Sequence, residues 1–150
     1  MGQSLVQIYV HLVYSTKNRM PFLKSVDDRK RLYAYLAGIH KNQNSPALII
    51  GGVEEHVHVL CRLGKTMDVS DLIRETKKES SSWVKAELSI PEFQWQAGYG
   101  AFSISPSHIP VLTTYIETQE EHHRKVTFKD EFRKLCKKYG LEIDERYVWD

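Results

Sequence analysis

Two histidines one residue apart, His56 and His58, open an apolar run that continues through Leu63. On a strand, residues two apart point to the same side, so both imidazoles face one way while Val57, Val59 and Cys61 face the other. Two same-face imidazoles make half of a divalent-metal site, and a third ligand must come from elsewhere. The plainer reading of the same spacing is a pair of half-exposed histidines at a strand end. A second set is Tyr115-Ile116-Glu117-Thr118-Gln119. Helical positions four apart are neighbours, which sets Tyr115 beside Gln119, with Ile109, Leu112 and Ile116 as the adjoining apolar stripe. A tyrosine hydroxyl can act as a covalent nucleophile, and a glutamine carboxamide oxygen can ligate a metal. Together the two sets suit attack on a phosphodiester: the ion polarises the phosphate oxygens and the tyrosyl oxygen displaces a ribose oxygen.

Other residues fit around these sets. His11 reads as a structural histidine on the first strand or as a neighbour of the pair. Lys17 and Arg19 follow that strand where phosphates can approach, or form a solvated loop. Lys77 and Lys78, with Thr76, lie on a helix beside Glu75 and Glu79 and can touch DNA or simply face water. His122, seven residues beyond Tyr115, shares its helical face and can bind DNA or assist proton movement.

The elements that must position these residues are legible in the pattern. Leu5 to Ser15, rich in Val, Ile and Tyr, reads as a strand. Ser25 can cap a helix running to about Lys41, with Leu32, Tyr35, Leu36 and Ile39 at helical spacing. Ala47 to Val53 and His56 to Leu63, separated by Glu54-Glu55, form a hairpin. A second helix spans about Asp68 to Glu87, and a fourth strand Trp95 to Ser103, where Gly98 and Gly100 mark a bulge or a close backbone approach. A helix through Val111 to His123 carries the tyrosine, although Pro110 belongs in a first turn. A last helix runs from about Phe128 to Tyr139 and is closed by Gly140. The order β-α-β-β-α-β followed by helices gives an α+β, ferredoxin-like antiparallel sheet with helices on one face. The other face is expected to be open, presenting the histidines.

All of this fits one domain over residues 1–150, since 150 residues bury a core without disulfides. Two cysteines make no disulfide framework, and the longest uncharged stretch, Phe93 to Ile116, is too polar to span a membrane. A cytoplasmic setting is therefore expected. The net charge of +2 hides segregation. Residues 1–41 carry seven basic and two acidic groups, residues 42–123 six and eleven, residues 124–138 seven and two, and residues 139–150 one and four. Two basic segments therefore flank an acidic middle, so near-neutrality does not argue against a nucleic-acid partner.

His56-Val57-His58 followed by Tyr115-Ile116 and Gln119 resembles the single-tyrosine HUH transposases of small bacterial insertion sequences, REP-associated relatives included. Trp95-Gln96, Gly98-Tyr99-Gly100-Ala101-Phe102-Ser103, His122-His123 and Phe128, Glu131, Phe132, Leu135 are similar to the same family. Glu54-Glu55 depart from it, standing where relatives often carry a Pro-Asp or Pro-Asn turn. The resemblance spans roughly residues 5 to 140. It implies a bacterial or archaeal enzyme that cuts and rejoins single-stranded DNA at hairpin-forming element ends, without a nucleotide cofactor. Tyr115 would form a 5′-phosphotyrosyl link, and His56, His58 and Gln119 would hold one Mg²⁺ or Mn²⁺. It also implies a homodimer. Three other readings stay open: a non-catalytic ferredoxin-like nucleic-acid module, a hydrolytic metalloenzyme with an acidic third ligand, and a domesticated transposase that binds without mobilising.

Overall fold

A computed structural model describes residues 2–150, and the statements below concern those residues. The chain runs β1 (Ile8–Ser15), α1 (Val26–Asn42), β2 (Ala47–Val53), β3 (His56–Leu63), α2 (Val69–Glu87), β4 (Gly100–Ile104), α3 (Ile109–Glu117), α4 (Gln119–His122) and α5 (Phe128–Lys138). The sheet order is β2-β3-β1-β4, with every neighbouring pair antiparallel. This is the ferredoxin-like α+β arrangement. Side-chain caps begin three of the helices: Ser25 accepts from the Asp28 amide, Asp68 from that of Asp71, and Thr127 from that of Asp130.

Apolar residues lie on both faces of the central strands. Leu12, Tyr14, Val57 and Val59 are fully buried against Leu32 and Leu36 of α1 and Leu72 and Val84 of α2. On the reverse face, Val13 and Phe102 pack with Phe128, Phe132 and Trp149, while Leu60 and Ile104 pack with Leu112 and Ile116. The second face is therefore covered by α3, α4 and α5, contrary to the expectation of an open one. The reason is in β1 and β3, where Val13 and Leu60 interrupt any simple apolar-in, polar-out alternation.

Three boundaries move. The first strand starts at Ile8. The fourth is Gly100–Ile104, because residues 96–98 form a loop and Trp95 pairs only through an isolated bridge with Thr16. The tyrosine helix begins at Ile109, so that Pro110 falls in the first turn, where its missing N–H is harmless. That helix also ends at Glu117: Thr118 sits at φ −103°, ψ 23°, and donates its hydroxyl to the Thr114 carbonyl. Tyr115 and Gln119 thus belong to two short helices, not one long one.

Gly51 sets the depth of α3. A Cβ there would stand 2.4 Å from the Ile116 carbonyl oxygen, so the helix rests directly on β2 backbone. Gly51 pairs with His58 across the sheet, which is why this contact lowers Tyr115 toward the histidines. Gly51→Val is expected to lift α3 and destabilise the fold by about 1–3 kcal/mol, as overpacked sites do, read from urea unfolding midpoints.

Candidate metal and tyrosine site

β1 and β3 pair His56 with Ser15, His58 with Val13 and His11 with Leu60, putting all three histidines on the face beneath α3–α5. His56 and His58 are 0% exposed. Neighbouring side chains orient the pair. The two-residue turn at Glu54-Glu55 closes the hairpin, and the His56 Nδ1–H donates to Glu55 Oε1 at 2.8 Å. His11 Nε2 and His58 Nδ1 share a hydrogen bond of 2.8 Å. In both cases the Nε2 atoms are left pointing inward, the arrangement that fixes a histidine for ligation.

Three groups arrive from the helical layer. Gln119 places Oε1 3.1 Å from His56 Nε2. Tyr115 sets its ring edge-on to His58, with centroids 5.7 Å apart. Glu131, 2% exposed, occupies the middle of the cluster. Its Oε1 accepts from His58 Nε2 at 3.0 Å and lies 3.6 Å from His56 Nε2 and 3.1 Å from His123 Nε2. Its Oε2 accepts the Tyr115 hydroxyl and the Gln119 amide, the latter at 3.2 Å, and stands 3.3 Å from His122 Nε2.

The donor set suits a divalent cation. Potential ligand atoms of His56, His58, His123 and Glu131 all lie within 4.8 Å of one another. With Nδ1 of His56 protonated toward Glu55, its Nε2 lone pair faces the Gln119 oxygen, and two acceptors so close call for a cation or proton between them. The buried Nε2 of His123 has no aligned hydrogen bond among the described residues, although the Glu131 carboxylate is at ion-pair distance. Imidazole donors suit transition-metal ions, and carboxylate and carboxamide oxygens suit Mg²⁺ and Mn²⁺, so the mixed set fits a divalent cation.

Electrostatics follow from burial against a single carboxylate. Burial alone would raise the Glu131 carboxyl, but contacts with His123 and His58 hold it well below the usual range. Tyr115 is pushed above the ordinary tyrosine value, first by burial and then by the Glu131 charge, so its hydroxyl stays protonated as it stands. Burial lowers His58 to about 4 and also depresses His11 and His40. His123 goes the other way: burial lowers it, but the Glu131 carboxylate more than compensates.

A pH dependence follows. For His11, His40 and His58 the unfolded chain binds the extra proton first, so stability is lost as pH falls below their ordinary 6.5. Glu131 adds to that loss at lower pH, because its stabilisation is present only above the unfolded carboxyl value. His123 opposes them, contributing below 6.5 and losing its contribution as pH rises through its folded value. Burial also depresses His122, so with four depressed histidines against one raised, the metal-free protein should melt at a lower temperature at pH 5 than at pH 7.5, followed by circular dichroism.

The sequence-predicted residues divide into two places. His56, His58, Tyr115, Gln119 and His122 come together, with the Tyr115 hydroxyl 3.5 Å from His122 Nε2. Lys17, Lys77 and Lys78 line a separate groove with Asn18, Gln94, Trp95 and Gln96. Within it Lys77 is committed to the fold. It donates to the carbonyls of Gln96 and Gly98 at 2.8 and 2.7 Å, and burial lowers it to about 8. Arg19 likewise donates to the Trp149 carbonyl at 2.7 Å, leaving Lys17 and Lys78 as the freer cations. Glu131 and His123 were not singled out as ligands from sequence. The available signal was an acid inside the Phe128, Phe132, Leu135, Cys136 stripe of a helix.

No curated protein sequence matches the chain. A solved structure from Deinococcus radiodurans R1, described as a transposase, superposes with a TM-score of 0.62 at 19% identity, covering 79% of this chain and 96% of that one. A REP-associated tyrosine transposase bound to a REP hairpin gives 0.60 at 16% identity, covering 84% and 74%. Such identities establish the shared fold. The family model described as "Transposase IS200 like" matches residues 4–119, a span that takes in both histidines, Tyr115 and Gln119. The chain belongs to the IS200-like transposases, a family of DNA-cleaving enzymes.

Proposed function

We propose that this transposase cuts and rejoins single-stranded DNA through a covalent tyrosine–DNA link, with Tyr115 as nucleophile and Mg²⁺ or Mn²⁺ held at His56, His58 and Gln119, completed by Glu131 or His123. The observation that carries this reading is the Tyr115 hydroxyl bonded to the same carboxylate that engages the histidine pair. The ion, when bound, supplies positive charge to the phosphate oxygens. The chain's own residues do the rest. Glu55 and His11 hold the two imidazoles in place, and the covering helices leave His56 and His58 fully buried. The Tyr115 oxygen attacks phosphorus, its proton leaving along the hydrogen bond to Glu131 Oε2. The bond from phosphorus to the 3′-oxygen breaks, and that oxygen takes up the proton that Glu131 received, leaving as a 3′-hydroxyl and restoring the carboxylate. In the reverse sense, a 3′-hydroxyl attacks the phosphotyrosine and frees Tyr115, so no nucleotide cofactor is needed.

Lys17, Lys78 and His122 are proposed to contact DNA, with Lys77 shaping the groove beneath the lysines and Arg19 standing apart beside Glu54 and Glu55. The hairpin-bound relative supports a hairpin substrate at the element ends. Tyr115 meets His56, His58 and Gln119 within this chain, and a proposed homodimer would pair two such sets for two cuts. The proposed setting is the cytoplasm of a bacterial or archaeal cell; among the described residues no helix is long and apolar enough to cross a membrane.

The test is 3′-labelled single-stranded DNA covering the sequence that flanks the chain's own gene, incubated with protein and Mn²⁺. A labelled protein band resistant to SDS and absent with EDTA is expected. Glu131 at the histidine pair gives specific support to a second reading, metal-assisted hydrolysis with an acidic ligand. That reading predicts a cut strand with a free 5′-phosphate and no labelled protein.

A further inference from the structure

Between α3 and α5 lies a cleft of about 400 Å³, lined by His122 but by none of the lysines proposed to contact DNA. Its floor is the site itself, with Tyr115, Glu131 and His11. Its walls are apolar: Ile104 and Leu112 are buried, and Val111, 63% exposed, stands at the mouth. One side is closed by Tyr139, whose ring lies on Phe102 at 4.9 Å and whose hydroxyl donates to the Ser103 carbonyl at 3.0 Å. That ring is therefore held in a fixed orientation. Lys134 and Lys138, one helical turn apart on α5, are exposed at the rim.

We propose that this cleft receives the nucleotide adjoining the scissile phosphate, its base against Val111, Leu135 and Tyr139 and its backbone against Lys134 and Lys138. The inference rests on the tyrosine-nucleophile reading and extends it to a substrate subsite. Apolar walls with an aromatic ring at one side suit a nucleobase, which packs on such surfaces without regard to sequence. The paired lysines complement a phosphodiester, whereas an apolar peptide would leave them unmatched. The volume falls within the range of small-molecule sites. Continuity decides the placement, since Tyr115 is both the proposed nucleophile and part of the cleft floor.

The experiment uses the labelled strand above with an abasic residue placed on either side of the mapped cleavage point, and the variant Val111→Trp, which fills the mouth from an exposed position. One abasic position should lower adduct formation about tenfold in the wild type, the scale of a lost stacking contact. Val111→Trp should show a similar loss, no further sensitivity to the abasic position, and unchanged Mn²⁺ binding by calorimetry. Full adduct formation with both abasic strands, or undiminished abasic sensitivity in Val111→Trp, would overturn the proposal. If the wild type forms no adduct at all, the tyrosine reading fails on its own. The cleft is then decided by titrating thymidine 5′-monophosphate and following backbone amide resonances. Shifts at Leu135 and Tyr139 that vanish in Val111→Trp support it, and their absence refutes it.

Discussion

Tyr115→Phe should abolish the covalent protein–DNA adduct entirely while the protein stays folded and binds Mn²⁺ as before. The substitution deletes one oxygen and keeps the ring that packs edge-on to His58. The lost hydroxyl bond to Glu131 is of the charge-assisted kind, worth about 1.5–3 kcal/mol, so a modest drop in melting temperature accompanies it. Glu131 retains its contacts with His58 and His123, which is why the proposed ligand group stays in place. No attacking oxygen remains, so neither longer incubation nor more DNA should restore the adduct. A labelled band persisting in Tyr115→Phe would mean that another residue is the nucleophile.

Glu131→Gln carries the second large effect. Gln keeps the shape of the side chain but removes the one negative charge on which His56, His58, His122 and His123 converge. Mn²⁺ affinity measured by calorimetry should fall by at least about tenfold to a hundredfold, the loss seen even when groups outside the ligand set are removed. Tyr115 exchanges its anionic acceptor for a neutral one, so adduct formation should fall further than metal occupancy alone accounts for; saturating Mn²⁺ separates the two losses. His123, raised by this carboxylate, should titrate lower in the variant. Undiminished Mn²⁺ affinity would remove Glu131 from the ligand set and leave His56, His58 and Gln119. Glu131→Ala is a poorer test, because deleting one partner of a buried ionic network costs about 3–5 kcal/mol.

How much of this could be read from the sequence differs between the two faces of the sheet. The order of strands and helices was legible because capping residues, turn pairs and apolar periodicity agree locally. The same is true of the placement of His56 and His58, which needs only the alternation of a strand. Tyr115 and Gln119 met as their four-residue spacing suggests, even though Thr118 breaks the helix between them. Glu131 was harder. It is 73 residues from His58, and its role depends on α5 folding back over β1 and β3. A helix pattern says that an acid interrupts an apolar stripe, and only tertiary packing says what faces it. The covering of the second face was obscured for a related reason. Val13 and Leu60 look like ordinary members of apolar strands until three short helices claim them. The fates of Lys77 and Arg19 belong here too, since carbonyls from distant loops took cations that sequence alone offers to DNA.

The sheet separates two apolar layers, one under α1 and α2 and one under α3, α4 and α5. Such a division draws a boundary for partial unfolding. The proposed nucleophile, Tyr115, sits in the second layer, built of three short helices around small clusters, while the first holds the larger, contiguous core. Regions with fewer buried contacts open at lower free energy than the global transition. In amide hydrogen exchange, α3–α5 should therefore lose protection as one unit while β1, β3, α1 and α2 remain closed. A tyrosine proposed to take up a DNA strand and later release it would then ride on the half of the protein that can loosen without the other half giving way.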